Sequence, residues 1–303
     1  GVLNLVKEDW VLSGKVQQIK FNARSWDALT GNVVLRNFQI LQDRERVHRL
    51  DSVVISSNLR KDGSRFVYFD SDIADGTIEG NYDLTKTPRR LLGMFAKYYP
   101  RFAARAGLRQ PDSLDVSEQY DLRLNIRDTR QWTRLFAEPL DTLRNLYVKV
   151  HVEGDIGLVQ VLMEAPELRY NKTVLKDASL NWYSLRDSAT YNIRLPSTRL
   201  NPKRTLAPVT ISGFMTDEAI TFHLETKDSA QIIQSLNLNG SLSLAAAVSL
   251  WELRFTSSNI SLFNRGWGIE ENNYIRFGKG FLEANNFYLY NNYNQRIVVD
   301  NFN

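Results

Sequence analysis

The side chains that most often carry catalysis or bind metals are scarce in this chain. It has 303 residues, no cysteine and three histidines, His48, His151 and His223. Without cysteine there is no thiol nucleophile, no disulfide framework and no cysteine-based zinc site. None of the histidines has the spacing of a zinc-ligand pair, and no third ligand accompanies them. His151 and His223 each occupy a polar position of an alternating run, and His48 lies in a charged turn between strands, so we expect all three to be solvated.

The carboxylates form one pattern that could be mistaken for a metal site. Asp70-Ser-Asp72 and Asp75-Gly76 have the spacing of the start of a calcium loop, but the further acidic ligand is missing. A turn between Phe69 and Ile78 is the simpler interpretation. The chain also has no nucleophile elbow, no phosphate loop and no dinucleotide fingerprint. We therefore expect no enzyme, no cofactor and no metal. A scattered active site stays open as an alternative, which clustered carboxylates with shifted pKa values would support.

The elements that position these residues are predicted to be β-strands. Apolar and polar residues alternate in Tyr120–Ile126, Tyr147–Val152, Tyr191–Leu195 and Ile220–Leu224. Alternation places all apolar side chains on one face of a strand. The sequence therefore predicts a mostly β protein, with a large antiparallel sheet that has one apolar and one polar face. The apolar face must meet a second sheet, a helix layer or something that is not protein.

Three segments interrupt the alternation with helical spacing. They cover residues 88–106, 130–143 and 229–236. In the first, Leu91, Phe95 and their neighbours form an apolar stripe with arginines opposite. Pro100 is expected to kink or split this helix.

The first of these segments is also the basic part of the chain. Seven basic residues and no acidic ones lie within 86–110, and subtracting those seven charges from the net charge of +4 leaves −3. The segment allows three interpretations: a structural helix with solvated arginines, a helix that contacts a membrane or closes the sheet as a lid, and a nucleic-acid site. The last is disfavoured because no strand interleaves aromatic and basic residues. The residues of the membrane or lid interpretation are Arg89, Arg90, Leu91, Phe95, Arg101 and Arg105.

The chain is predicted to be one continuous segment without a membrane-spanning helix, because no run of about 18 apolar residues occurs. Pairs of strands begin at Leu50, Leu175 and Leu282, about every hundred residues, which suggests approximate repeats over 1–110, 111–228 and 229–303. The alternative to a repeat is that these strand pairs resemble each other only as any two hairpins do. We expect the chain to be an internal portion of a longer protein.

One stretch resembles a known family. Ser71 to Leu84 reads Ser-Asp-Ile-Ala-Asp-Gly-Thr-Ile-Glu-Gly-Asn-Tyr-Asp-Leu and leads into a helix that begins with proline. This is similar to the TamB-like proteins of the translocation and assembly module, which belong to the AsmA-like superfamily of repeating β-grooves. The resemblance extends diffusely over the whole chain, and it lies in repeat signatures with no catalytic motif.

The resemblance implies a fold, a place and a function. The fold would be an elongated, curled antiparallel sheet, also called a β-taco, with an apolar concave face and short helices at repeat boundaries. The protein would lie in the periplasm of a Gram-negative cell envelope and conduct phospholipids between the inner and outer membranes, with a role in outer-membrane protein assembly. Parts outside this chain would supply an inner-membrane anchor and meet an outer-membrane β-barrel of the TamA/BamA type. Nucleic acid is not an expected partner.

The alternating runs then identify the residues that would line the groove and contact acyl chains. They are Leu122, Leu124, Ile126, Val148, Val150, Val152, Ile193, Leu195, Ile220, Phe222, Leu224, Leu242 and Leu244. A structural or adhesive β-repeat scaffold, whose groove is filled by its own side chains, is the alternative function.

Overall fold

The fold was analysed in a computed structural model. It describes residues 10–22, 30–42, 46–83, 85–109, 117–129, 140–201, 204–228, 233–245 and 250–298.

The described residues form one antiparallel sheet and two helices, as the alternating pattern predicted. The strands are β1 (Trp10–Asn22), β2 (Thr30–Gln42), β3 (Arg46–Leu59), β4 (Arg65–Ser71), β5 (Ala74–Asn81), β6 (Gln119–Asp128), β7 (Leu140–Glu153), β8 (Leu158–Tyr170), β9 (Thr173–Leu185), β10 (Ser188–Leu195), β11 (Ser197–Asn201), β12 (Arg204–Leu206), β13 (Val209–Met215), β14 (Ala219–Lys227), β15 (Ile233–Leu244), β16 (Trp251–Phe255), β17 (Asn259–Leu262), β18 (Arg265–Ile269), β19 (Tyr274–Gly278), β20 (Phe281–Asn285), β21 (Tyr288–Tyr290) and β22 (Arg296–Val298). The helices are α1 (Thr87–Tyr98) and α2 (Pro100–Arg105).

The sheet is a long meander that branches twice and does not close. From β1 to β10 each strand pairs with the next one in the chain. Strand β10 then pairs with β13, and the sheet continues through β14 to β15. Strand β9 also pairs with β11, which carries β12. Strand β15 pairs with β16 along one half and with β17 along the other, and these two branches end at β20 and β22.

The open architecture leaves a large surface. The accessible area of the chain is 19577 Å², whereas a compact monomer of this mass would expose about 13,000 Å². An open sheet of 22 strands does not enclose a single core. Within the described residues no helix is long and apolar enough to cross a membrane. The division into three approximate repeats stays a prediction.

Glycines on the apolar face mark places where the sheet bends sharply toward that face. A Cβ atom added to Gly213 would lie 1.9 Å from the carbonyl oxygen of Thr221, and one added to Gly240 would lie 2.3 Å from that of Arg254. Both oxygens belong to the neighbouring strand. Glycine inside a strand typically marks such a bend or close backbone approach. The apolar face therefore lies on the inner side of the curl.

Replacing Gly213 with alanine should consequently destabilise the fold. The new methyl group meets backbone that cannot rotate away, and overpacking of this kind costs about 1–3 kcal/mol. Urea unfolding followed by circular dichroism measures the loss. Gly266→Ala is the matched control, because a Cβ at Gly266 has no atom within 4 Å. Equal stability of the two variants would contradict the bend.

The first predicted helix is present as two helices. Together α1 and α2 connect β5 to β6. Helix α1 ends at Tyr98 and α2 begins at Pro100, with Tyr99 between them as the cap of both. Proline has no N–H group and therefore suits the first turn of a helix and interrupts its interior, which explains the split.

The other two helix predictions are wrong where the structure describes them. Residues 130–139 and 229–232 lie outside the described residues, but Leu140 to Leu143 belong to β7 and Ile233 to Leu236 belong to β15. Cross-strand pairing decides both cases. Leu143 lies opposite Leu168 and Leu236 opposite Thr226, so these segments extend ladders that helical spacing alone does not reveal.

Candidate functional site

The thirteen predicted groove residues lie on one face of the sheet. In an antiparallel pair, side chains directly opposite each other share a face. Leu124 lies opposite Val148, and Ile220 lies opposite Leu242. Strands β8 and β9, which contributed no predicted groove residue, connect these groups through the same register. We call the surface defined by the thirteen residues and their cross-strand neighbours the apolar face.

One row of opposed residues shows how continuous the apolar face is. It crosses nine strands from β6 to β16 through Leu122, Val150, Val161, Trp182, Tyr191, Gly213, Phe222, Gly240 and Phe255. The second half alternates glycine with aromatic residues, and two of the aromatic rings cover a neighbouring glycine. The tip of the Tyr191 ring lies against Gly213, and the Phe222 ring lies against Gly240. Phe222 also meets Phe255 edge to face, with ring centroids 6.0 Å apart.

The apolar face is only partly covered. Of the thirteen predicted groove residues, Val152 is 1% exposed, and the other twelve are half-buried. Residues between two packed sheets would be buried throughout, because such interiors are filled to crystal-like density. The face therefore keeps a strip of apolar side chains that solvent can reach.

The two helices cover one end of the apolar face. Leu91, Met94 and Tyr98 of α1 pack against Tyr120 and Val152. Phe102 of α2 packs against Ala189 and Met215 and stacks on Trp251, with ring centroids 5.9 Å apart. The apolar stripe of the basic segment thus faces the sheet.

Polar contacts hold the helices in this position. The Arg90 guanidinium pairs with the buried Glu118 carboxylate, with Nη1 and Oε1 2.5 Å apart. The Tyr99 hydroxyl lies 3.1 Å from the Ser184 hydroxyl. At the start of α2 the Arg101 backbone N–H donates to Asp217 Oδ1 at 2.8 Å, and Arg101 Nη2 donates to the Leu244 carbonyl at 3.0 Å.

These contacts correspond to the structural interpretation of the basic segment. Of the six residues of the lid interpretation, Leu91 and Phe95 contact the sheet, and Arg90 and Arg101 are bonded within the protein. Arg89 and Arg105 are exposed. A lid that covers one end of the apolar face is compatible with this packing.

Beneath α1 a space remains between helix and sheet. This cavity of about 200 Å³ is lined by Leu91, Met94, Phe95, Val159 and Trp182, among others. Its walls are mostly apolar, so water gains few hydrogen bonds there. The partly covered apolar face therefore continues beneath α1.

At the opposite end the apolar face is buried by its own side chains. Leu146, Ala165 and Ala178 are buried, and half-buried neighbours such as Met163 and Leu195 pack against them. Two of these buried residues, Ala165 and Ala178, lie directly opposite each other on β8 and β9.

The tyrosines on the apolar face are uncharged at physiological pH. Burial raises the pKa of Tyr82 to about 12 and raises that of Tyr120 further. Burial also raises the pKa of Tyr191, whose hydroxyl donates to the Thr221 carbonyl at 3.0 Å. Desolvation disfavours the phenolate in each case. The apolar face consequently carries no tyrosinate that would repel or bind a charged group.

His151 and His223 lie on the polar face, as the alternating pattern predicted. His151 is opposite Asp121 and Gln160, and its ring nitrogens lie 3.1 Å from Asp121 Oδ1 and 3.0 Å from Glu153 Oε1. His223 Nδ1 lies 2.8 Å from Asn239 Oδ1. The expected turn at His48 is wrong, because His48 belongs to β3 and lies opposite Ile40 of β2. Its side chain is outside the described part of the chain.

The acidic pattern near Asp70 is a turn, as predicted. Strand β4 ends at Ser71 and β5 begins at Ala74. Asp70 and Asp75 both pair with the Arg127 guanidinium, at 2.8 and 2.9 Å. Among the residues that the structure describes, no group of three or more metal-ligating side chains comes together.

Sequence reasoning missed several residues that complete the apolar face. They are Val161, Met163, Leu180, Trp182, Tyr191, Ile211 and Phe255. Their period of two is visible in the sequence but less regular. In 158–163 apolar residues also occupy the other face, at Leu158 and Leu162, and the runs of the other five residues include serine, glycine or asparagine. Only the register shows that they join the thirteen into one surface.

Comparison with protein-family models, curated proteins and solved structures finds no match. The TamB-like resemblance therefore stays a prediction, and the function must be argued from the apolar face.

Proposed function

We propose that this chain is a non-enzymatic carrier of phospholipid, whose acyl chains lie on the apolar face while the headgroups stay in water. The observation that carries the proposal is the partial cover of that face. A row of apolar residues crosses nine strands without a charged residue, and twelve of the thirteen groove residues are half-buried. A continuous apolar strip that stays partly open to solvent is typical of a surface that binds a ligand or partner.

The physical benefit to an acyl chain is direct. Removing apolar area from water gains roughly 25 cal/mol for each Å². A diacyl lipid that leaves a membrane exposes its chains, and the curled apolar face offers them a surface on the inner side of the bend. The strip holds aliphatic and aromatic side chains with neutral tyrosines, so its central row has no charged group that would fix a lipid headgroup at one position. Weak, repeated contacts of this kind permit sliding along the strip.

The cellular location of this activity is proposed from the TamB-like resemblance alone. Conduction through the periplasm between inner and outer membranes, an anchor and a TamA/BamA-type barrel outside this chain, and a role in outer-membrane protein assembly are part of the proposal on that basis. The curled sheet with a partly exposed apolar inner face is compatible with it.

A structural scaffold is the second candidate, and two observations favour it. The helices cover one end of the apolar face, and Leu146, Ala165 and Ala178 are buried at the other. If the remaining strip serves only to stabilise the fold, no lipid occupies it.

Site-specific crosslinking in cells distinguishes the two candidates. A photoreactive amino acid is placed at Leu124, on the apolar face, or at its neighbour Asn125, which is exposed on the polar face. We expect ultraviolet light to attach phospholipid at position 124 and not at position 125, as detected by mass spectrometry of the purified chain. Equal labelling of the two positions, or none at position 124, would contradict lipid carriage.

A further inference from the structure

The polar face of the sheet holds a cavity of its own. It has a volume of about 500 Å³, within the range of small-molecule sites, and it spans β7 to β10. The side chains around it come from alternate positions of these strands, so they project from the face opposite the apolar one. The backbone of Val161, Trp182 and Tyr191 lies between them and forms the floor.

The lining is rich in neutral hydrogen-bonding groups. Gln160, Asn181 and Asn192 supply amides and Thr190 supplies a hydroxyl. Register places Asn181 directly opposite Asn192 and Tyr183 directly opposite Thr190, so amides and hydroxyl stand in two adjacent rows. Side-chain amides donate and accept at once, as the hydroxyl groups of a polyol require.

One of these amides has an unmet hydrogen bond. Asn192 Oδ1 is buried and has no partner among the described residues. A buried acceptor left in this state costs about 1–3 kcal/mol. Rotation of the amide toward the cavity would let a donor on a ligand meet it.

Tyr183 supplies an apolar platform beside the amides. Its side chain is 45% exposed, although it stands in the middle of a large sheet. The face of an aromatic ring is electron-rich and attracts the weakly positive C–H groups of a sugar ring. Leu162, half-buried on the same face, adds an apolar spot next to Asn181.

The only fixed charge among the residues that line the cavity is that of Lys149. Lys149 and His151 line it, but the His151 ring is held between the Asp121 and Glu153 carboxylates. Phosphate sites usually use arginine forks or clustered N–H groups, and this lining has no arginine. A neutral ligand fits better.

From this juxtaposition of an exposed tyrosine, three amides and a hydroxyl, we propose that the cavity binds a neutral oligosaccharide on the side of the sheet opposite the apolar face. Four strands spaced about 4.8 Å apart span about 14 Å, which is the length of about three sugar rings. This proposal does not depend on lipid carriage.

Isothermal titration calorimetry of the full chain with chitotetraose tests the proposal. This probe is chosen because its acetamido groups can pair with Asn181 and Asn192 and place their methyl groups near Leu162. We expect one site with a dissociation constant on the order of 1 mM or below, and at least a fivefold loss of affinity in Tyr183→Ala and in Asn192→Leu. Tyr170→Ala is the control, because Tyr170 is 50% exposed and lies outside the cavity.

Three results would overturn the proposal. One is no heat of binding with chitotetraose at about ten times the expected constant. Another is unchanged affinity in both cavity variants, which would place the sugar elsewhere. The third is binding of inorganic phosphate in this cavity without binding of the saccharide, which would assign it to an anion.

Discussion

Phe222→Arg is expected to lower the phospholipid that co-purifies with the chain at least tenfold. Phe222 lies in the central row of the apolar face, covers Gly240 and contacts Phe255 at 6.0 Å. A guanidinium placed among acyl chains must be desolvated without a partner, which costs several kcal/mol. One such charge in the row therefore blocks the strip. Lipid extraction and quantification by mass spectrometry measure the loss.

The neighbouring His223→Arg is the matched control for this variant. His223 is the next residue of β14, and its side chain lies on the polar face beside Asn239. We expect it to keep the lipid of the unmodified chain. Because Phe222 is also a packing residue, Leu124→Arg and Asn125→Arg provide a second pair on β6, with circular dichroism to verify folding. Lipid content that is unchanged in both folded groove variants would contradict the proposed function.

Glu118→Ala is expected to destabilise the protein by about 3–5 kcal/mol and to release α1 from the sheet. Glu118 is buried, and its Oε1 accepts from the Asp83 backbone N–H, the Thr87 hydroxyl and Arg90 Nη1. The Arg90 and Glu118 side chains are only 19% and 7% exposed. Alanine removes one acceptor from three donors at once and leaves a partly buried guanidinium without this counter-charge. Urea unfolding gives the stability, and hydrogen exchange of residues 87–105 reports release of the helices.

Two variants locate the cause of this effect. Glu118→Gln keeps an acceptor and removes the charge, so we expect a smaller loss than with alanine. Glu79→Ala breaks the ion pair between Glu79 and Arg60, whose side chains are 41% and 48% exposed respectively. Exposed ion pairs contribute about 0–1 kcal/mol to stability. If Glu118→Ala were as stable as Glu79→Ala, the contacts of Glu118 with Arg90 and its other donors would not be what holds α1 on the sheet.

Alternation in the sequence was enough to predict the class of fold and the face on which each groove residue lies. Side chains of a strand alternate between the two faces of the sheet, and the need to bury apolar residues decides which set faces the core. Leu124 and Phe222 can therefore be assigned to the same face without knowing how their strands pair. Pro100 likewise predicted the split between α1 and α2, because proline lacks an N–H group and interrupts the interior of a helix but suits its first turn.

The sequence could not show what depends on pairing between distant strands. Leu140 to Leu143 has helical spacing, yet its pairing with β8 makes it a strand. The bend at Gly213 depends on the Thr221 carbonyl of the next strand, and the cover by α2 depends on Asp217, which follows Arg101 by more than one hundred residues. Such contacts form only when distant strands come together in the sheet, so a local sequence pattern does not predict them.

Native mass spectrometry of the unmodified chain, purified from cells in mild detergent and then released from it, tests lipid carriage most directly. We predict a folded chain with additional masses that correspond to whole phospholipids, and loss of those masses in Phe222→Arg but not in His223→Arg. A folded chain that carries no phospholipid would contradict the proposed function and leave the scaffold as the account of the apolar face.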